Sequence, residues 1–447
     1  MRENYSRAVL AAAAAGGLAL AGAAPAQAAP ITAQVPCSTS ALSSAITNAV
    51  DGDVLQLAKN CTYVLTGALP EVTVTLTIQG STTTSTIARS SAGATPHFSQ
   101  LTVGTGGDLT VKNVNFTNGY SQVGFGGAIY GEDGPVTVTG GTFTGNYSTS
   151  YGGAIDAEHG VSITGATFTG NSAKYYGGAV RAAGRTSSVT DSTFTGNTVT
   201  GGGSGGGALM TFDNDTRVTS DTFTGNVADD GGALFVDGGL TAVRNSSFSK
   251  NNGRFNGGAA YAASGDFYVQ YSAFRRNTTE NEGGAIFNEA NALVKTSTFS
   301  YNPASSGYGG AMANSGTLAV AGSSLNGNWA PYGGAVYNQG RVTLSGDSLF
   351  GNRAQYGAGL YVDTAGFATL SEAIFLQNSA SSAGGGIYTG TSGDANLDFS
   401  AVIYNHAPAG EGGGIYNAGS VAAGSSTVRF NTVNNCSPAL SVRGCTG

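Results

Sequence analysis

The side chains in this chain best suited to chemistry are carboxylates that recur at turns. Asp229-Asp230 and Glu282 each stand just before a glycine pair, two repeats apart. Two acids about 5 to 10 Å apart across a sugar linkage can hydrolyse it, one as proton donor and one as base or nucleophile. Asp156 and Glu158 with His159, and Asp213 with Asp215, are further acidic groupings. Acids on turns more commonly solvate the surface or accept backbone N–H groups. His159 sits in Glu-His-Gly rather than Gly-His-Gly, and no Arg/Lys pair accompanies the acids. No catalytic residue is assigned on this basis. The three histidines, His97, His159 and His406, are scattered, and neither Cys-x-x-Cys nor Gly-Gly-x-Gly-x-Asp occurs. No metal or other cofactor is expected.

Tyrosines form the second candidate. Tyr337, Tyr361, Tyr388 and Tyr416 occupy one repeat position, and Tyr308, Tyr332 and Tyr356 occupy another, just before the first motif glycine of three successive repeats. Asp156 and Arg181 share the first position. This predicts that the position faces solvent and that the two form a surface ion pair of little energetic weight. The tyrosines fit either a platform for sugar rings or a partner protein, or a ladder whose rings stack on each other.

A repeat must position these side chains. A Gly-Gly-small-apolar motif begins at Gly126, Gly152, Gly177, Gly206, Gly231, Gly257, Gly283, Gly309, Gly333, Gly357, Gly384 and Gly412, with Ala358 in place of the second glycine after Gly357, a mean spacing of 26 residues. An apolar-x-x-Asn motif keeps step with it, from Phe143/Asn146 to Val428/Asn431. Between them lie short alternating runs such as Val136-Thr-Val138-Thr. Three strands in 26 residues are too few for a propeller blade, and no 3.6-residue apolar period marks a helical repeat. The pattern predicts an all-β, single-stranded, right-handed parallel β-helix of about 13 coils. The recurring Phe points inward, and the recurring Asn forms an amide ladder at a turn. Thr39 to Val50, capped by Ser38 or Thr39, is predicted to be a helix lidding the first coil through Leu42, Ala45, Ile46 and Ala49.

Residues 1–28 carry Arg2 and Arg7, an apolar run and Ala26-Gln27-Ala28, which together read as a secretory leader. Residues 29–60 then form the cap and first strand, 61–431 the coils and 432–447 a closed tail. Four cysteines suit an oxidising compartment. The ends of a long rod cannot meet, so the expected pairs are Cys37–Cys61 and Cys436–Cys445. Charged residues make up only 10% of the chain and the net charge is −7, which excludes a nucleic-acid binder or a polybasic membrane-surface protein. The expectation is a secreted monomer without a membrane span after leader removal. Its partner would be an extracellular polysaccharide or a cell-surface component.

Gly-Gly-Ala-Ile coupled to Phe-x-x-Asn resembles the polymorphic outer membrane protein repeat of secreted bacterial β-helix proteins. Cys37-Ser38, a short helix, Gly52-Asp53, a strand and Tyr63 resemble the N-terminal cap common to such proteins. The resemblance implies the pectate-lyase-like superfamily, with surface display and adhesion. The family's C-terminal transporter barrel is not seen, so free secretion or loose wall association is expected. The resulting function is binding, adhesion or structure at a glycan or cell surface. The alternative is a polysaccharide lyase or hydrolase acting through acids between Asp156 and Glu289.

Overall fold

A computed structural model describes residues 29–81, 85–122, 124–438, 441–443 and 445. The leader assigned to residues 1–28 lies outside them. The chain is a parallel β-solenoid of about 15 turns with one short helix. Sheet 1 has sixteen strands, from Thr32–Val35 to Ser420–Ala422, and sheet 2 fifteen, from Thr62–Leu65 to Thr427–Arg429. Sheet 3 has seven strands from Tyr120–Ser121 to Thr278–Thr279, then three from Trp329–Tyr332 to Ser379–Ala383. Sheet 4 has fourteen, from Leu101–Val103 to Cys436–Ser437. Pro303 falls where sheet 3 is interrupted, and having no N–H it cannot donate to the ladder.

The coil count exceeds the expected 13 because the first turns carry no glycine pair at the corner before sheet 4; Gly106-Gly107 stands instead before a sheet 1 strand. Strands Asp53–Leu57, Thr75–Gln79 and Asp108–Lys112 build them from alternating apolar residues alone. Counting the motif therefore misses them.

Each strand hydrogen-bonds its counterpart one coil on, so like residues meet like. Phe143 pairs with Phe168 and Phe194 with Phe223. Phe116, Phe143, Phe168, Phe194, Phe223, Phe248, Phe274 and Phe299 form a buried stack with centroids 4.6–5.1 Å apart. Each such pair contributes about 0.5–1.5 kcal/mol beyond its burial.

Next to this stack runs the asparagine ladder, from Asn146 to Asn431, with every member buried. Each backbone N–H donates to the next coil's Asn Oδ1 at 2.9–3.0 Å. Each Nδ2 donates to that same oxygen at 2.9–3.1 Å. Its other hydrogen goes to the carbonyl of the preceding coil's apolar residue, as from Asn251 to Phe223 at 3.1 Å. The amide's donors and its acceptor are all used.

A second row crosses the turn between sheets 1 and 2. The Ser246 hydroxyl donates to Arg244 O (2.8 Å) and accepts the Asp221 N–H (3.1 Å). Asp221 takes a serine's place in this row. One oxygen accepts the Ser192 N–H (2.7 Å), and the other is buried without a partner. Burial pushes its carboxyl up to about 7.

The N-terminal helix, Thr39–Thr47, buries Leu42 and Ile46 over the first coil. It stops three residues short of Val50, because the Asn48 amide donates back to Ser44 O and Asp53 takes the Val50 N–H into a turn. Ser38 is the N-cap residue but makes no side-chain cap bond. Its hydroxyl meets Ser40, and Thr39 donates to Val64 O. The disulfides are Cys37–Cys61 and Cys436–Cys445, as expected.

Asn251→Ala leaves the Asn226 N–H and amide without their acceptor. It should lower unfolding free energy by about 3 kcal/mol in chemical denaturation. Asp221→Ser restores the hydroxyl pattern. Because the folded carboxyl holds its proton more tightly than the unfolded one, the parent's stability falls as pH rises from 3.8 to about 7. The variant should therefore gain on the order of 2 kcal/mol at about pH 8 and far less at about pH 4.

Candidate functional site

The glycine pairs make the corner between sheets 3 and 4. In the second motif, Gly152 has φ +56°, and a Cβ there would lie 2.2 Å from Ile155 O. A Cβ on Gly153 would lie 2.1 Å from Gly178 O of the next coil. No side chain fits, and the backbone folds sharply back. Two outward columns flank this corner. One holds the residue before each glycine pair, the other the residue after the motif's apolar position. Their side chains meet: Tyr308 and Tyr337 centroids are 4.5 Å apart, Tyr332 and Tyr361 5.5 Å, and Tyr356 and Tyr388 5.6 Å. Side chains on a convex edge would diverge, so the corner is re-entrant, a trough running along the rod.

The trough corrects one expectation. The position after the apolar residue does not simply face solvent. Asp156 is 0% exposed, Tyr337 6% and Phe287 6%, because the neighbouring column covers them. Asp156 and Arg181 are likewise not a surface pair. Arg181 Nη1 donates to both Asp156 oxygens at 2.8 and 3.0 Å, lies 3.5 Å from Glu158 and packs over the Tyr151 ring. Burial pushes the Asp156 carboxyl up to about 7 against the opposing pull of Arg181. Beside this pair is a recess of 250 Å³ lined by Tyr151, Tyr176, Arg181, Met210, Phe212 and Asp237.

The seven singled-out tyrosines all lie in the trough but play two parts. Tyr337, Tyr361, Tyr388 and Tyr416 are in register, with centroids 5.4, 4.7 and 4.9 Å apart and near-parallel planes. This is a ladder, and the faces of its inner rings are used up. Tyr337 also donates from its hydroxyl to Asp363 at 2.6 Å. Tyr308, Tyr332 and Tyr356 also follow one another coil by coil. Tyr332 stands at 84° to Tyr361, and Tyr356 at 71° to Tyr388. The second column also stacks on itself: Tyr308, Tyr332 and Tyr356 have centroids 5.4 and 5.5 Å apart at 29° and 11°, so the half-buried Tyr332 ring lies between the other two.

The acids divide as well. Asp230, Asn256, Glu282 and Tyr308 continue the Tyr332 column without a break. Asp230 accepts the Asn256 amide at 3.0 Å. Burial pushes Asp230 up to about 6, helped by the Asp229 and Glu289 charges; burial and Glu289 also raise Glu282. Glu289 accepts the hydroxyl of Tyr261, which stands one coil earlier on the same wall. Asp229 points the other way, buried against Arg254 (3.0 Å) and the Gly203 N–H. Asp213 and Asp215 sit at a turn between sheets 4 and 1, outside the trough, where Asp215 accepts the Leu240 N–H. The His159 ring contacts Glu132 O. Among the described residues, no group of three or more His, Cys, Asp or Glu is placed to hold a metal. No helix among them is long and apolar enough to cross a membrane.

Residues 140–158 and 372–390 match the Chlamydia polymorphic membrane protein repeat. Both segments run from the apolar-x-x-Asn motif through the glycine corner to the trough wall. Two segments of the chain are thus similar to that repeat. In this repeat the Asn fills the internal ladder and the glycines make the trough. No curated protein and no solved structure matches the chain.

Sequence reasoning missed the buried row Asn288, Asn314 and Asn338, whose amides are linked at 2.7 Å behind the trough. The signal was Asn recurring directly after the tyrosine position. Arg181→Met strips the buried Asp156 of its cation and should cost about 3 to 5 kcal/mol. The folded Asp156 pKa is raised, so the loss should be larger at about pH 8 than at about pH 5, read by thermal unfolding across pH.

Proposed function

We propose that this chain is an extracellular or surface-displayed binding module that adheres to a glycan or cell surface through the trough. The observation that carries this reading is the stacked column of half-buried tyrosines, Tyr308, Tyr332 and Tyr356, beside the glycine corner along the rod. Part-exposed aromatic side chains flanked by polar groups suit sugars, which combine apolar faces with hydroxyl edges. The match to a membrane-protein repeat supports a surface setting, and the two disulfides fit an oxidising one. A second reading, polysaccharide cleavage, is favoured by Asp230 and Glu282. They stand two coils apart in one column, about 10 Å between backbones, with both carboxyls raised.

The test is a pull-down with soluble and insoluble polysaccharides, scored for both retention and release of reducing or unsaturated ends. Retention without release is expected. Tyr332→Ser with Tyr356→Ser should abolish it while shifting the thermal midpoint only slightly, since neither ring is fully buried. Tyr337→Ser should instead destabilise the fold. Retention unchanged in the double variant rejects the trough as the binding face, and product release moves the assignment to Asp230 and Glu282.

A further inference from the structure

Away from the trough, the outer face of sheet 3 carries a groove of 590 Å³ where that sheet resumes beyond Pro303. Trp329, Arg353, Ser379 and His406 line it as one outward column, one residue per coil. Ser379 and the nearby Ser381 are short and form a floor between the taller Trp329 and Arg353 on one side and His406 on the other. Trp329 is the chain's single tryptophan and is 40% exposed. The fold does not require it there, because earlier coils fill the same ladder position with Ser172, Thr198, Val227 and Asn252. Among the described residues its ring stacks on no other ring and has no cation over it, whereas Tyr332 on the same strand lies between Tyr308 and Tyr356. Arg353 is exposed and, among the described residues, has no carboxylate within ion-pair distance. No Asp or Glu among the described residues lines the groove, in a chain whose acids outnumber its Lys and Arg by 26 to 19.

We propose that this groove is a second binding site, separate from the trough, that takes a short anionic glycan with a carboxylate or sulfate borne on a sugar ring. The ring packs against the Trp329 indole, and its acidic group meets the Arg353 guanidinium one coil on, about 4.8 Å along the rod. The two contacts are different in kind. The indole takes the apolar C–H side of the sugar, and the planar guanidinium fork takes two oxygens of the anion. Charge complementarity selects the occupant: a neutral glycan leaves Arg353 unmatched, and an amino sugar sets a cation against it. An acidic peptide satisfies Arg353 but brings no flat apolar ring side to Trp329. Length limits the ligand. Trp329 to His406 is three coils, about 14 Å, room for two or three rings. His406, whose Nδ1 contacts the Thr432 hydroxyl at 3.2 Å, closes the far end.

The test is titration of the full chain with sialyllactose, sulfated lactose, lactose and tetraglutamate, followed by tryptophan fluorescence. Trp329 is the only source of that signal, so the signal reports this groove. Both anionic sugars should shift the emission saturably and bind about tenfold more tightly than lactose at low salt, losing most of the difference at high salt. Arg353→Gln should bring that ratio near one and leave lactose binding unchanged. It should also keep the thermal midpoint, since the side chain removed is exposed and makes no ion pair. Lactose binding as tightly as the anionic sugars, a ratio unchanged in the variant, or an emission that no sugar alters overturns the inference. Tighter binding of tetraglutamate overturns it in favour of a protein partner. Each of these outcomes leaves the trough reading standing, because that reading rests on other residues and on its own pull-down.

Discussion

Everything in this rod depends on the buried asparagine ladder being satisfied at every step. An amide in an apolar interior is costly unless its donors and acceptor are all engaged. Here each side chain is complete only when the next coil supplies an oxygen at the same height and the previous coil supplies a carbonyl. That requirement fixes the register of sheet 2, and with it the phenylalanine stack. A one-residue slip would turn the phenylalanines outward and leave the amides unpaired. The lengths of the outer loops are free to vary because they lie off this axis. Between Asn197 and Asn226, for instance, Gly201–Gly203 add residues without disturbing the ladder, whose link stays at 3.0 Å.

The solenoid was legible because its two motifs are spaced by one coil and carry their own physical reasons. Paired glycines, a recurring Phe and a recurring Asn leave few alternatives once the period is known. What was not legible was curvature of the outline. In sequence, the position of Tyr337 alternates as an outward strand residue should, and a charged pair at Asp156 and Arg181 looks like surface. Only the fold shows that the glycine corner turns inward, so that outward residues of adjoining sheets cover each other. The early coils were hidden for the opposite reason: Asp53–Leu57 and Thr75–Gln79 carry only strand alternation, with no punctuation to count.

The two tyrosine columns show one residue type stacking in two orientations side by side. In the Tyr361 column, stacking consumes the faces and contributes to the sheet. In the Tyr332 column the rings stack on each other too, and Tyr332 and Tyr356 stand at 84° and 71° to their neighbours in the first column. The two stacks thus run side by side at one pitch, joined by a corner whose second position is glycine in every repeat of the motif except at Ala358. Carboxylates enter the same corner where tyrosines leave it, so shape and charge vary along one continuous line.

The asparagine row also makes the rod electrically polar. Backbone hydrogen bonds also run along the axis from coil to coil, but successive peptide units of a strand point opposite ways, so they contribute little net moment. The side-chain amides instead point head to tail, every Nδ2 toward the C-terminal end, from Asn146 to Asn431. Their dipoles add, as peptide dipoles do in a helix. The positive end lies at Asn431, where a carbonyl oxygen from the closing loop, Asn435 Oδ1, receives the last two donors. The C-terminal loop is therefore an electrostatic cap as well as a steric one, and the two ends of an otherwise repetitive molecule are not equivalent.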